Sequence, residues 1–153
     1  MHRITLLTVG RLREPWAREA CDQYNERLKA SIQLQIIELA ASKGKTASQQ
    51  QAEESDRLLA QLSKIDGDRY ILDERGKAVT SMQFASTISQ ARDRGTPLVF
   101  VLGGAYGLTD AVRKACTLLK LSDMTLPHEL CRVVFLEQLY RAQEIGKGSG
   151  YHH

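Results

Sequence analysis

The chain has 153 residues, 42% of them hydrophobic and 25% charged, with a formal net charge of +3. That length suits one domain, residues 1–153, with room for a full core, and the composition is ordinary for a soluble globular protein. No apolar run approaches the ~20 residues of a membrane span, the amino end has no signal-peptide pattern, and Cys21, Cys116 and Cys131 lie far apart with no metal-ligand spacing, which fits reduced thiols in a cytoplasm. The slight basic excess permits an RNA or phosphate partner without requiring one.

The first strand is Ile4–Val9, closed by Gly10. Arg11 and Arg13 follow at once. Such a pair can hold phosphate, although solvated loop charge is the commoner reading. Pro15 suits the first turn of a helix. Trp16, Ala20, Tyr24 and Leu28 then recur every four residues, which predicts an amphipathic helix with these four on its inner stripe. Ile32–Leu39 alternates and then turns apolar, a second strand. Residues 40–51 are small and polar and read as a mobile loop, followed by a helix over Ala52–Leu62 with Leu58, Leu59 and Leu62 inward. Gly44-Lys45-Thr46 imitates the end of a P-loop, but the motif's first glycine would fall on Leu39, so the match fails.

Arg69–Asp73 is a third strand, Glu74–Lys77 a turn, and Ser81 starts a helix that ends near Gly95. The fourth strand, Leu98–Leu102, is apolar throughout, as in a parallel sheet buried on both faces. Gly103, Gly104 and Gly107 break it, and Thr109 or Asp110 can cap a helix over Ala111–Lys120. A buried strand that ends in glycines and opens a helix is the usual ligand end of an open α/β sheet. A tight turn with no ligand explains the glycines equally well. Leu118–Ser122 is short and apolar, and Pro127 opens a last helix that runs to about Ile145. Within it Glu137 and Arg141 share a face with Leu130 and Val134 and stand four apart. They form an internal ion pair, or they hold an arginine ready for an anion or a base edge. The tail, residues 146–150, reads as flexible up to Tyr151.

Strand–helix alternation gives an α/β fold with a mostly parallel sheet and helices on both faces. The dinucleotide fingerprint fails because its first glycine would be Leu102, and zinc- and serine-hydrolase motifs are absent.

Several stretches together carry a resemblance: Leu7-x-Val9-Gly10-Arg11-Leu12, Leu102-Gly103-Gly104-x-x-Gly107-Leu108, Leu121-Ser122-x-Met124-Thr125-Leu126-Pro127-His128, Arg132-Val133-x-x-x-Glu137-Gln138-Leu139-Tyr140-Arg141-Ala142 and Tyr151-His152. In order and spacing the chain resembles, along its whole length, the RlmH (YbeA) family, the large-subunit ribosomal RNA pseudouridine N3-methyltransferases of the SPOUT superfamily. The resemblance implies a deep trefoil knot in the carboxyl half, a homodimer, and S-adenosylmethionine bound in the knot without a metal. It implies as substrate a pseudouridine in 23S ribosomal RNA on the assembled ribosome. Cofactor contacts are implied at Leu72, Gly103, Leu121, Ser122, Asp123, Met124, Thr125 and Leu126. Arg141 is expected to orient the base or neutralise charge, with Tyr151 and His152 closing over the substrate and His152 the first choice of general base. His128 is expected to shape the knot loop. The rival is a SPOUT-like fold that only binds RNA or assists ribosome assembly. No thermal stabilisation by the cofactor would favour that rival.

Overall fold

Leu98–Leu102 is buried at all five positions, and it takes the centre of the sheet. The computed structural model describes residues 1–153. Its elements alternate strictly: β1 (His2–Val9), α1 (Pro15–Leu28), β2 (Ile32–Leu39), α2 (Ala47–Leu62), β3 (Asp68–Ala78), α3 (Ser81–Asp93), β4 (Leu98–Leu102), α4 (Asp110–Lys114), β5 (Thr117–Lys120) and α5 (His128–Lys147). The strand order is β2-β1-β4-β3-β5, and every pairing is parallel. Every strand therefore ends at the same edge of the sheet.

Side-chain alternation divides the core in two. On one face Ile4, Leu6, Leu98 and Phe100 meet α1, α3 and α5. Phe100 packs against Phe135 of α5 at 4.9 Å and Phe84 of α3 at 5.8 Å between ring centroids. On the other face Leu7, Val9, Ile71, Val99 and Val101 meet α2 and α4. Each such side chain stabilises the fold by about 1.5–3 kcal/mol on full burial.

Several element boundaries differ from the sequence reading. The α2 helix starts at Ala47, not Ala52, because the Thr46 hydroxyl accepts from Gln49 N–H at 3.1 Å and caps it. The preceding loop is tethered: Ser42 N–H donates to Glu54 at 2.9 Å, and the Ser42 hydroxyl bonds to Glu53. The β3 strand does not stop at Asp73. Leu72 and Lys77 both pair with Leu119, so residues 73–76 bulge out of the ladder. Gly76 sits on the β5 backbone there, where a Cβ would lie 2.5 Å from the Leu119 carbonyl carbon. The α4 helix ends at Lys114 and not Lys120, because residues 117–120 are used as β5. Trp16 is 51% exposed, and the inner stripe of α1 is Ala17, Cys21 and Leu28. The tail is ordered by a left-handed Gly148 (φ 65°), with Ser149 N–H bonded to Glu144 O at 3.2 Å.

One connection decides where the site lies. The β5 strand is at one end of the sheet, yet α5 starts against β1 and β2. Glu14 N–H donates to Glu129 at 3.2 Å. Buried Arg132 donates to Glu38 at 2.8 Å, to Thr8 at 2.9 Å and to Gly10 O at 3.3 Å. Residues 121–127 must therefore cross the carboxyl edge of β3 and β4.

Candidate active site

That crossing encloses a cleft of about 1020 Å³ between three loops. Leu72 and the β3 bulge form one wall, residues 102–108 the second, and residues 120–128 the third. All eight residues expected at a cofactor line it: Leu72, Gly103 and Leu121 to Leu126. His128 and Cys131, on the first turn of α5, close the base.

The walls mix aliphatic side chains and loop backbone with charged groups: Leu72, Leu102, Leu121 and Leu126 stand beside Asp73, Glu74, Arg75 and Arg113. Between Leu121 and Leu126 no backbone N–H or C=O bonds to another backbone group. Only Met124 N–H is used, donating to the Ser122 hydroxyl at 3.0 Å, and Lys120 pairs with Asp123 at 2.6 Å. Free donors and acceptors beside Leu72, Leu102, Leu121 and Leu126 suit a flat heterocycle with a hydrogen-bonding edge. No three His, Cys, Asp or Glu side chains are grouped closely enough to hold a metal. An adenosyl group therefore fits the residues present.

The glycines serve both readings left open by the sequence. On their rear side they are forced by packing. A Cβ on Gly103 would lie 2.9 Å from Leu108 Cδ2, and one on Gly104 would run into Glu54 Oε1 and approach Val9 Cγ1 at 3.3 Å. On their front side they expose backbone to the cleft. Gly107 has φ 79° and closes a turn by donating to Gly104 O at 3.1 Å.

A layer behind the glycine loop was not read from the sequence. Gln51 donates to Tyr106 O, and the Ser55 hydroxyl accepts Thr109 N–H, each at 3.0 Å. Glu54 is buried, and its Oε1 has no partner. One signal was available: Glu54 stands at spacing four with Leu58 and Leu62, so a carboxylate occupies the core stripe of α2. Arg113, on the helix that follows the glycine loop, ties that loop's side of the cleft to the β3 wall, donating to Asp73 at 2.9 Å with side chains 15% and 6% exposed. Nothing in sequence separated by 40 residues marks that pair.

The expected chemical residues form a second cluster, away from the cleft. Arg141 donates to Glu137 Oε1 from Nε at 3.0 Å and from Nη2 at 2.6 Å. The Tyr151 hydroxyl donates to the same oxygen at 3.2 Å. The Tyr151 ring lies under the Arg141 guanidinium at 4.9 Å and against Tyr140 at 5.0 Å. Arg141 Nη1 is 3.2 Å from His152 Nδ1. Burial, and then the Glu137 charge, push the Tyr151 phenol up to about 12. Arg141, Tyr151 and His152 are thus brought together, but none of them lines the cleft. Arg141 stands ten residues beyond Cys131 on α5, which is about 15 Å along the helix.

A parallel sheet, a cleft at its strand ends, and a carboxyl-terminal segment crossing that edge define an α/β protein that binds its ligand at the carboxyl ends of the strands. The chain matches the family model described as "Predicted SPOUT methyltransferase" over residues 2–152, and it belongs to that family. It is 44% identical, over 99% of both chains, to the ribosomal RNA large subunit methyltransferase H of Geobacter sp. (strain M21). It is 44% identical over the full length of both to the protein of that name from Nitratidesulfovibrio vulgaris (strain DSM 19637 / Miyazaki F), and 40% identical over 99% of both to that of Geobacter sulfurreducens. Family membership implies a trefoil knot in the carboxyl half of the chain.

Proposed function

We propose that this chain methylates N3 of a pseudouridine in large-subunit ribosomal RNA, as a homodimer acting on the assembled ribosome in the cytoplasm, with S-adenosylmethionine as donor. The observation that carries this reading is the three-loop cleft at the strand ends, in a SPOUT chain whose relatives are named as large-subunit ribosomal RNA methyltransferases. No helix is long and apolar enough to cross a membrane.

When bound, S-adenosylmethionine supplies a methyl group on a positively charged sulfur. Leu72, Leu102, Leu121 and Leu126 would flank its adenine, and the unpaired backbone of residues 121–126 would read the adenine edge. The target nitrogen is an imide N–H between two carbonyls. It must lose its proton, and the negative charge must be stabilised. Arg141, held by Glu137, presents fixed donors to that charge. A guanidinium only donates, so His152 Nδ1 accepts in their contact and the neutral ring carries its proton on Nε2. In this arrangement His152 offers an N–H to a carbonyl beside N3. Acting as the base, its first expected role, requires the contact with Arg141 to open. The separation of about 15 Å along α5 supports a dimer in which the tail of one protomer serves the cleft of its partner. The half-buried Leu130, Val133, Val134 and Tyr140 on α5 offer apolar surface for that contact.

The test uses labelled S-adenosylmethionine with ribosomes, and with free RNA, from a strain lacking the modification. Label is expected in ribosomes. Transfer to free RNA alone would overturn the ribosome substrate, and no transfer to either would overturn the enzyme. Cofactor at ~100 times its Kd should stabilise the fold by about 2.7 kcal/mol.

A further inference from the structure

We infer that the loops following β1 and β2 form the track that receives the ribosomal RNA backbone, with Arg11, Arg13, Lys43 and Lys45 as its phosphate ligands. The inference rests on the methyltransferase reading above and adds to it a surface.

Because all strands are parallel, residues 10–14 and 40–46 leave the sheet at the same edge as the cleft, on its β1–β2 side. Gly10 N–H donates to Leu39 O at 2.8 Å, which holds the two loops side by side. All four basic residues are exposed. None of the four side chains forms an ion pair with an acidic residue. Some exposed cations elsewhere are paired, such as Arg94 with Asp68 at 3.1 Å and Lys147 with Glu144 at 3.3 Å, and others, such as Lys64 and Lys114, are not; what sets the four apart is that two adjoining loops bring them together. Against the four cations the two loops carry one carboxylate, Glu14.

The track abuts the cleft. The Arg13 and Glu14 N–H groups donate to Glu129, next to His128 at the cleft base. That contact fixes the loop carrying Arg11 and Arg13 to the first turn of α5. A phosphate chain lying on the arginines therefore reaches the rim of the cleft. The exposed ring of Trp16, one helical turn further, supplies an apolar face of the kind on which an unpaired base stacks. Duplex-flanked RNA meets proteins through its phosphates first, and each phosphate contact adds a salt-dependent increment.

The experiment compares the wild type with the variant carrying Arg11→Ala, Arg13→Ala, Lys43→Ala and Lys45→Ala, on ribosomes that lack the modification. The slope of log affinity against log salt is expected to flatten by about 3, since each lost phosphate contact removes about 0.7–0.9. The KM for ribosomes is expected to rise at least about tenfold at physiological salt, with kcat and S-adenosylmethionine affinity unchanged. Unchanged cofactor affinity also shows that the variant is folded. The double variant Lys64→Ala, Arg94→Ala, on the opposite edge of the sheet, should leave the slope as in the wild type. A wild type that methylates ribosomes beside a quadruple variant of equal slope and KM overturns the track alone. So does an equal effect from the opposite edge. A wild type that neither binds cofactor nor methylates ribosomes overturns the reading beneath it, and with it the track.

Discussion

The cleft and the tail cluster both touch α5, and they are built differently. The cleft is an open space between three loops at the start of the helix, where glycines and leucines stand beside charged side chains. The cluster is a carboxylate, a guanidinium, a phenol and an imidazole at its end, with Arg141 and Tyr151 both bonded to Glu137 and His152 reached through Arg141. A cofactor that carries its own electrophile needs shape and hydrogen-bonding edges and no catalytic side chain. The acidic imide proton needs charge and donors. Separating the two by about 15 Å lets each be built without compromise, and on the proposed reading a second protomer joins them.

The largest expected effect would break that division at its chemical end. Arg141→Ala should lower methyl transfer by at least about 100-fold, the usual cost of removing one fixed donor to a developing negative charge. It should leave the thermal stabilisation by S-adenosylmethionine intact. Arg141→Lys keeps the charge without the fork, and should recover only part of the rate. Equal loss of cofactor affinity and rate in Arg141→Ala would join the two regions into one.

These two regions were legible to different degrees. The glycines stood out because a buried strand followed by glycines can be seen from residue types alone, whereas the segment before Pro127 read only as a loop and its place at the cleft came from the family resemblance. The span of Ile32–Leu39 and the central Leu98–Leu102 matched for the same reason. Trp16 misled, because spacing of four shows one face of a helix and not which neighbour covers it. The α4 helix misled because residues 117–120 carry a helix-compatible run, and the ladder with β3 outweighs that preference. The support behind the cleft was out of reach for another reason. Arg113 and Asp73, or Ser55 and Thr109, meet only once the sheet order is known.

An intermediate effect is expected at the back of the cleft. In Gly104→Ala the new methyl meets Glu54 Oε1, the end of a buried side chain held through its other oxygen by Ser42 N–H, and approaches Val9 Cγ1 at 3.3 Å. Overpacking of this kind costs about 1–3 kcal/mol. The melting temperature should fall and cofactor affinity should weaken together, since the loop that moves is a cleft wall. Adding Glu54→Ala should restore part of both, so that the double variant is less damaged than the sum of the singles. A Gly104→Ala protein with normal cofactor affinity would separate the loop from the ligand and leave the glycine to packing alone.

The smallest effect sharpens the comparison at the tail. The Tyr151 ring is held by Tyr140 and Arg141, its hydroxyl only by Glu137. Tyr151→Phe therefore keeps most of the contact and should change the rate by no more than about threefold, the scale of one modest hydrogen bond. Tyr151→Ala should cost far more. The pH dependence follows from the raised phenol. A group whose folded pKa lies above its unfolded value stabilises the fold below the unfolded value and loses that contribution as pH rises through the folded one. For Tyr151 the window runs from the ordinary value of 10 to about 12. The phenol is neutral and donating at every pH where the enzyme would be assayed. The rate–pH profile of Tyr151→Phe below pH 9 should thus keep the shape of the wild type, while tyrosinate absorbance above pH 10 should lose one late-titrating group. An alkaline limb that moves with Tyr151→Phe would make the phenol a proton carrier in the reaction, and would take from Arg141 and His152 the roles assigned to them.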